Sequence, residues 1–178
     1  MKRLHWFILI FSSVVLLLFV IGFALPERIL VETETQIKRN PDAVLDYLAD
    51  LRNWTEWSQI NTDYDASLEI EYSGAPVGVG SVKTWEGENI GGGEIKITRI
   101  TQMPVLHYML KPKGTGLLFD CKFEIRAAEG NQASDVRWVV VTDLGMNPVM
   151  RYAGFILKGS LKSEIEKDIE KLRTVLEK

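Results

Sequence analysis

The first segment of the chain is apolar and uninterrupted by charge. Residues 4–25 contain no Asp, Glu, Lys or Arg, and only His5, two serines and Gly22 break a run of large apolar residues. A helix of roughly 20 apolar residues crosses about 30 Å of hydrocarbon, and this run is long enough. Its length favours a retained membrane anchor over residues 1–25. The alternative is a cleaved secretory signal, for which the basic start and the small residues Gly22 and Ala24 are also suitable.

Two basic residues set the expected orientation. Lys2 and Arg3 precede the apolar run, and the positive-inside bias keeps such residues on the cytoplasmic side. We expect a single-pass protein of the cell (inner) membrane, with its amino terminus inside and residues 26–178 outside the cytoplasm. Cleavage of the segment would instead leave a secreted or periplasmic domain.

After Pro26 the pattern changes to strict alternation. Residues 29–37 place Ile29, Val31 and Ile37 on one side, which predicts a strand with one buried face. The short connections farther along favour antiparallel neighbours in a meander. The same alternation predicts five or six further strands, over residues 68–72, 81–86, 94–101, 106–110, 117–125 and 136–142.

Two helices enclose these strands. Asn40-Pro41 supplies a cap and a first-turn proline, and Asn147-Pro148 repeats that signal before an apolar i+3/i+4 stripe over about residues 147–176. Together the elements predict an α+β grip, in which a curved antiparallel sheet wraps around a long C-terminal helix. A bent sheet cannot lie flush on a straight helix, so we expect an apolar cavity between them.

Two glycines interrupt the long helix. Gly154 and Gly159 each cost about 1 kcal/mol relative to alanine inside a helix. Small residues at these positions would leave room where the helix meets the sheet.

The charge balance excludes some partners. Without Lys2 and Arg3, the domain holds 19 basic and 24 acidic residues, a net charge of −5. This mild acidity argues against nucleic acid, which requires a basic face, and against adsorption to anionic lipid by charge alone. Cys121 is the only cysteine, so no intrachain disulfide forms.

The sequence carries no familiar catalytic or metal-binding motif. It has no Gly-x-Ser-x-Gly, His-Glu-x-x-His or phosphate-binding glycine loop, and His107 is the only histidine after the apolar run. We expect no metal and no cofactor, a solvent-facing His107, and Cys121 as a core residue between Phe119 and Phe123. If the chain is an enzyme, Glu86 and Asp143 are the candidate acid–base groups.

Several segments resemble one protein superfamily. The chain from Leu25 onward is similar to SRPBCC proteins, the START-like or Bet v 1-like helix-grip proteins, and most similar to the polyketide cyclase/dehydrase and lipid transport branch. The resemblance implies a helix-grip fold and a hydrophobic ligand, but it says little about chemistry because the superfamily includes binders, transporters, co-chaperones and enzymes. It is carried by residues 39–44, 51–58, 72–74, 78–80, 85–87 and 143–152.

One position departs from that resemblance. Relatives often read Trp-Ser-Pro-Trp, whereas here Trp57-Ser58 is followed by Gln59-Ile60. The departure implies a pocket of different shape.

The predicted ligand site consists mainly of aromatic residues, which offer broad apolar faces with one polar group. Arg151, beside Asp143 and Asn147, has two interpretations: part of a capped and ion-paired loop, or a polar clamp on a ligand headgroup. The aromatic candidates are Trp54, Trp57, Trp85, Tyr108, Phe119, Trp138, Tyr152 and Phe155.

These patterns lead to one main functional hypothesis. We expect a membrane-tethered module that binds or transports a hydrophobic, lipid-like molecule, with no nucleic acid partner. The alternatives are a cyclase or hydrolase acting on an apolar substrate, and a regulatory protein partner of a membrane complex.

Overall fold

The computed structural model describes residues 2–178; Met1, the first residue of the predicted basic start, lies outside the described residues. The seven predicted strands form, together with both domain helices and an N-terminal helix. The elements are α1 (Lys2–Ala24), β1 (Arg28–Ile37), α2 (Pro41–Ala49), β2 (Glu69–Gly74), β3 (Ser81–Glu86), β4 (Gly93–Ile100), β5 (Val105–Pro112), β6 (Phe119–Ala128), β7 (Ala133–Asp143) and α3 (Pro148–Leu176).

The strands form one antiparallel sheet in the order β1-β7-β6-β5-β4-β3-β2. The predicted meander from β2 to β7 is confirmed, and β1 closes the sheet by pairing with β7. Strand β7 begins three residues earlier than predicted, because the tight connection from β6 already pairs Ala128 with Ala133. A bulge between Ile97 and Arg99 bends β4 against β5.

The register of β1 explains its alternation. Val31 lies opposite Val140, and Thr35 lies opposite Val136, so the inner faces of the two strands coincide. Ile29, Val31 and Ile37 are buried on that face, as the sequence predicts. The α+β helix-grip arrangement therefore follows from a single buried sheet face packed against helices.

An aromatic cluster fills the centre of the domain. It comprises Trp54, Trp57, Tyr108, Phe123 and Trp138, all almost fully buried. The Trp54 and Tyr108 rings meet edge to face at 4.9 Å, and the Phe123 and Trp138 rings lie 4.9 Å apart. Aromatic pairs in such geometry contribute about 0.5–1.5 kcal/mol beyond their buried area.

Hydrogen bonds fix two rings of this aromatic cluster. The indole N–H of Trp54 donates to the carbonyl oxygen of Leu48 at 2.9 Å, and that of Trp138 donates to the hydroxyl of Tyr108 at 2.8 Å. The indole N–H of Trp57 has no hydrogen-bond partner among the described residues.

The two halves of α3 have different neighbours. Ile165, Ile169 and Leu172 are buried in the second half, where the helix packs along β1. In the first half Leu157 is only half-buried and Phe155 is exposed. The apolar stripe predicted along the whole helix therefore packs against the sheet over only part of its length, and the first turns contact α1 instead.

Helix α1 leans on the start of α3. Gly22 is buried there against Pro148. The two residues are so close that a Cβ atom added at Gly22 would lie 2.5 Å from the Cβ of Pro148. The Tyr152 hydroxyl donates to the carbonyl oxygen of Leu18 at 2.7 Å. Within residues 2–178, α1 is the one helix long and apolar enough to cross a membrane, a property that signal sequences share.

The two glycines of α3 provide a matched test of packing. A Cβ at Gly154 would overlap the side chain of Leu144 and touch Ile29, whereas a Cβ at Gly159 would meet nothing within 4 Å. We expect Gly159→Ala to stabilise the protein by about 0.5–1 kcal/mol, because it removes the cost of glycine in a helix. Gly154→Ala should lose that gain by displacing Leu144. Unfolding of the two variants by circular dichroism compares them, and equal stabilisation would contradict the packing of Gly154.

Candidate ligand-binding cavity

A cavity of about 280 Å³ lies between the inner face of the sheet and the middle of α3. Leu157, Leu161 and Ile165 form its helix wall, and Trp54 with residues 58–60 closes one end. The sheet wall is mainly apolar and consists chiefly of Ile95, Tyr108, Leu110, Phe119, Trp138 and Val140.

The strand register produces the sheet wall. Tyr108 pairs with Cys121, which in turn pairs with Val140, so these side chains form one row across β5, β6 and β7. Leu110 and Phe119 begin the next row. Directly opposed residues of an antiparallel sheet point to the same face, so both rows turn toward α3.

Four of the predicted aromatic ligand contacts line this cavity: Trp54, Tyr108, Phe119 and Trp138. Trp57 lies in the aromatic cluster rather than on the cavity wall. Trp85 is buried too, but it packs against Gly93, where a Cβ would collide with its ring.

Arg151 lies outside the cavity, at the end of α1. Its guanidinium donates to the carbonyl oxygens of Phe23 at 2.8 Å, Leu25 at 3.1 Å and Gly145 at 3.0 Å, and it pairs with Glu27 at 3.3 Å. A cation in this place satisfies carbonyls at a helix C-terminus and complements the helix dipole. The contacts match those of a helix cap more closely than those of a headgroup clamp.

The neighbours of Arg151 also lie away from the cavity. Tyr152 is bound to α1, and Phe155 is 77% exposed. Asn147 caps α3 as predicted, its side-chain oxygen accepting the N–H of Val149 at 2.9 Å. Arg151 and Asp143 form no direct ion pair in this structure, because Arg151 pairs with Glu27 and Asp143 pairs with Arg28.

The two carboxylates proposed for acid–base chemistry are exposed and ion-paired. Glu86 pairs with Lys113 at 2.6 Å, and Asp143 pairs with Arg28 at 3.3 Å. The N–H of Gly145 and the Arg28 guanidinium hold the pKa of Asp143 below its usual value. Neither carboxylate is among the residues that line the cavity.

The single cysteine and the domain histidine have structural surroundings. Cys121 is buried as predicted, and it also contributes to the cavity wall; burial raises the pKa of its thiol to about 12. His107 lies on the outer face of the sheet opposite Lys122, as predicted, where it is partly covered and its ring nitrogen is 3.1 Å from the Arg99 guanidinium. Burial, with Arg99 second, lowers the pKa of His107.

Asp168 is a site residue that the sequence pattern did not reveal. Its carboxylate lies at the cavity rim and accepts the backbone N–H of Gln59 at 3.4 Å. Burial raises the pKa of Asp168 to about 7, and the nearby Glu164 carboxylate adds to the increase. The sequence pattern groups Asp168 with the charged outer face of α3. Its spacing, three residues after Ile165, instead puts it in phase with the buried stripe.

Lys83 is the second buried charge that the pattern missed. Its side chain is fully buried, and its ammonium donates to the carbonyl oxygen of Ile60 at 3.2 Å. Burial lowers the pKa of Lys83 to about 8. The alternation of β3 puts Lys83 in phase with buried Trp85, which was the available signal. Two consecutive residues of the closing loop, Gln59 and Ile60, are thus held from opposite sides by Asp168 and Lys83.

The arrangement suits an apolar ligand with one polar group near Asp168. Most of the lining is aliphatic or aromatic, and no basic residue is found among the lining residues of the described chain. Within residues 2–178 no group of three His, Cys, Asp or Glu side chains is placed to hold a metal ion. Asp168 and Glu164 therefore supply the carboxylate acceptors among the residues that line the cavity.

The raised pKa of Asp168 predicts a pH-dependent stability. Its folded pKa of about 7 exceeds the value of 3.8 for a free carboxyl group, so the folded protein binds more protons between these values. The contribution of Asp168 to stability is therefore fully present below about pH 4 and is lost as the pH rises to about 7. Asp168→Asn removes this loss, so its advantage over the native chain should grow between pH 5 and pH 8. The gain in the free energy of unfolding from Asp168→Asn is at most about 4 kcal/mol, because each unit of pKa difference between the folded and unfolded states is worth about 1.36 kcal/mol.

Thermal unfolding at both pH values measures this difference. Asp143→Asn is the matched control. The pKa of Asp143 is lowered, so this carboxylate stays charged from pH 5 to pH 8 and its replacement should change stability equally at both pH values. A constant difference between Asp168→Asn and the native chain from pH 5 to pH 8 would contradict the assignment.

Comparisons with known proteins place the fold in a wider group. A solved structure of Thalictrum flavum norcoclaurine synthase, in complex with dopamine and hydroxybenzaldehyde, is similar with a TM-score of 0.60 and 10% identity, covering 88% of this chain and 90% of the other. Ara h 8.0201 has a TM-score of 0.57 and 16% identity, covering 84% and 97%. A protein from Bacillus thuringiensis has a TM-score of 0.56 and 10% identity, covering 83% and 98%. At these identities the likeness is one of fold.

The sequence has no significant match among curated proteins. A family profile described as polyketide cyclase / dehydrase and lipid transport, in contrast, matches residues 28–177. This match extends from the first strand of the sheet to the end of α3. The chain therefore belongs to the polyketide cyclase/dehydrase and lipid transport family, the SRPBCC proteins with Bet v 1-like structural neighbours.

Proposed function

We propose that the protein is a membrane-tethered domain that binds or transports a small, lipid-like molecule. The observation that carries this proposal is the apolar cavity of about 280 Å³ between the sheet and α3. Hydrophobic-ligand binding is the activity of the family, and the helix α1 would keep the cavity close to the bilayer from which such a ligand comes.

The cavity limits the size of that ligand. At about 280 Å³ it lies at the lower end of the range of about 300–1,000 Å³ that is typical of small-molecule sites. A full two-chain lipid is much larger, so the bound portion is a short chain or a compact ring system. The rim carries Glu164 and Asp168 without a basic partner among the lining residues, which favours a neutral or cationic head over a carboxylate.

The tether is supported by the contacts between α1 and the domain. Arg151 binds two carbonyl groups of the α1 end, and Gly22 is packed against Pro148. Cleavage after Ala24 would remove the Phe23 carbonyl that Arg151 binds and the Gly22 surface on which Pro148 packs. Such side-chain and backbone complementarity is expected for a retained helix and has no use in a signal that is removed.

Catalysis is the second candidate, and Asp168 is the observation that favours it. A partly buried carboxyl group with a pKa of about 7 at a ligand cavity is suited to proton transfer near neutral pH. Asp168→Asn separates the two functions. A binding domain should keep its ligand with modestly changed affinity, whereas an enzyme should lose turnover of any substrate that the cavity accepts.

Filling the cavity tests the binding function directly. We expect Leu161→Trp to weaken the binding of 1-octanol, a probe of suitable size, by at least tenfold, because the indole would occupy the void. Lys162→Trp, at the exposed neighbouring position, should bind as the native chain does. Ligand-observed NMR with the full chain in nanodiscs measures both variants, and empty nanodiscs give the partition background. Equal octanol binding by the two variants would contradict the cavity as the binding site.

A further inference from the structure

The exposed residues at the start of α3 form an apolar surface beside the membrane helix. Met146 is 77% exposed, Val149 68%, Phe155 77% and Ile156 74%. We call these four residues the α3 patch. Large side chains so fully exposed on one short stretch are typical of a surface that is covered in the working protein.

The charge pattern of α3 changes at the end of this α3 patch. In residues 148–157 the only charged side chain is Arg151, which is buried and bound to the end of α1. From Lys158 onward the exposed face carries charges on nearly every turn, beginning with Lys158 and Lys162. The helix is therefore apolar over about its first 15 Å and hydrophilic over its remaining length.

The contact with α1 sets the depth of this apolar end. The apolar part of α1, His5–Ala24, has 20 residues and is about 30 Å long, which equals the hydrocarbon thickness of a bilayer. Leu18 precedes Ala24 by six residues, so its carbonyl group lies about 9 Å inside that span. The Tyr152 hydroxyl donates to this carbonyl at 2.7 Å, and Pro148 packs on Gly22. The first turns of α3 therefore stand level with the outer end of the span.

From this geometry we infer that the α3 patch is embedded in the lipid interface next to α1. The inference rests on the retained anchor of the proposed function. Helices with one apolar face lie in this zone with that face about 5–10 Å into the headgroup and acyl boundary. Lipid is favoured over a second protein because the patch lies on the same turns of α3 that contact the apolar helix α1, through Pro148 and Tyr152.

Embedding would join the cavity to the bilayer. Leu157 follows the last residue of the α3 patch directly, and its side chain lines the cavity. A hydrophobic ligand would then pass between lipid and cavity along α3 with little exposure to water.

Site-directed spin labelling of the full chain in phosphatidylcholine vesicles tests this position. Single cysteines replace Phe155, Ile156 or Lys167, and Lys167 is the control because it is exposed on the same helix about 18 Å farther on. The native Cys121 is buried, with its pKa raised to about 12, and remains unlabelled. Power saturation compares oxygen, which concentrates in lipid, with a water-soluble nickel chelate.

We expect labels at Phe155→Cys and Ile156→Cys to be accessible to oxygen and shielded from nickel, and the label at Lys167→Cys to show the reverse. Nickel access at all three positions would overturn the inference. So would strong coupling between labels at Phe155→Cys that disappears on dilution with unlabelled protein, because a second copy would then cover the patch.

A mass measurement of the chain isolated from its native membrane separates this inference from the proposed function. Loss of residues 1–24 would overturn both the tether and the embedded patch, while leaving octanol binding by the domain intact. A retained α1 with water-exposed labels would overturn the patch alone.

Discussion

A sheet that twists and is bent by the bulge in β4 cannot follow a 29-residue helix along its whole length, and the other features of the domain depend on where α3 and the sheet make contact. The second half of α3 follows β1 closely and buries Ile165, Ile169 and Leu172. Around Leu157 and Leu161 the helix is only half-buried, and the space between these turns and the sheet is the cavity. The start of α3 packs on α1, so one helix contributes to the core, to the cavity wall and to the contact with α1.

Ring contacts and hydrogen bonds hold the residues around the cavity in place. Its floor is the aromatic cluster, whose members are fixed by edge-to-face contacts and by the hydrogen bonds of Trp54 and Trp138. Its end is closed by the loop held between Asp168 and Lys83. Both of these charged groups are removed from water at a cost in stability, since each has its pKa shifted toward the neutral form. Keeping polar groups at such a cost is more typical of a functional site than of a filled core.

The fold was predictable because its signals are periodic and repeated. Alternation with period two located all seven strands, and two Asn-Pro pairs located the helices α2 and α3. The cavity residues were predictable in part, for a specific reason. Trp54, Tyr108 and Trp138 could be recognised by type, but Trp57 and Trp85 are of the same type and pack elsewhere.

The polar residues of the site were harder to predict. Asp168 and Lys83 occupy inward-facing positions of an amphipathic helix and strand. A charged residue at such a position is easily assigned to the solvent face unless its spacing from the buried residues is taken into account. The role of Arg151 depends on carbonyl groups more than 120 residues earlier in the chain. No local pattern contains that contact, because it arises only when α1 and α3 meet.

The two walls of the cavity differ in what else they support. Tyr108, Phe119 and Trp138 on the sheet wall are buried parts of the core, and changing them would disturb the fold. Leu157 and Leu161 on the helix wall are only half-buried and lie where the cavity separates α3 from the sheet. Mutation can therefore alter the shape of the site from the helix side at small cost to folding. A fold with this division can diversify its ligands over evolutionary time while its scaffold stays constant, and the same two positions are the natural starting points for engineering a new specificity.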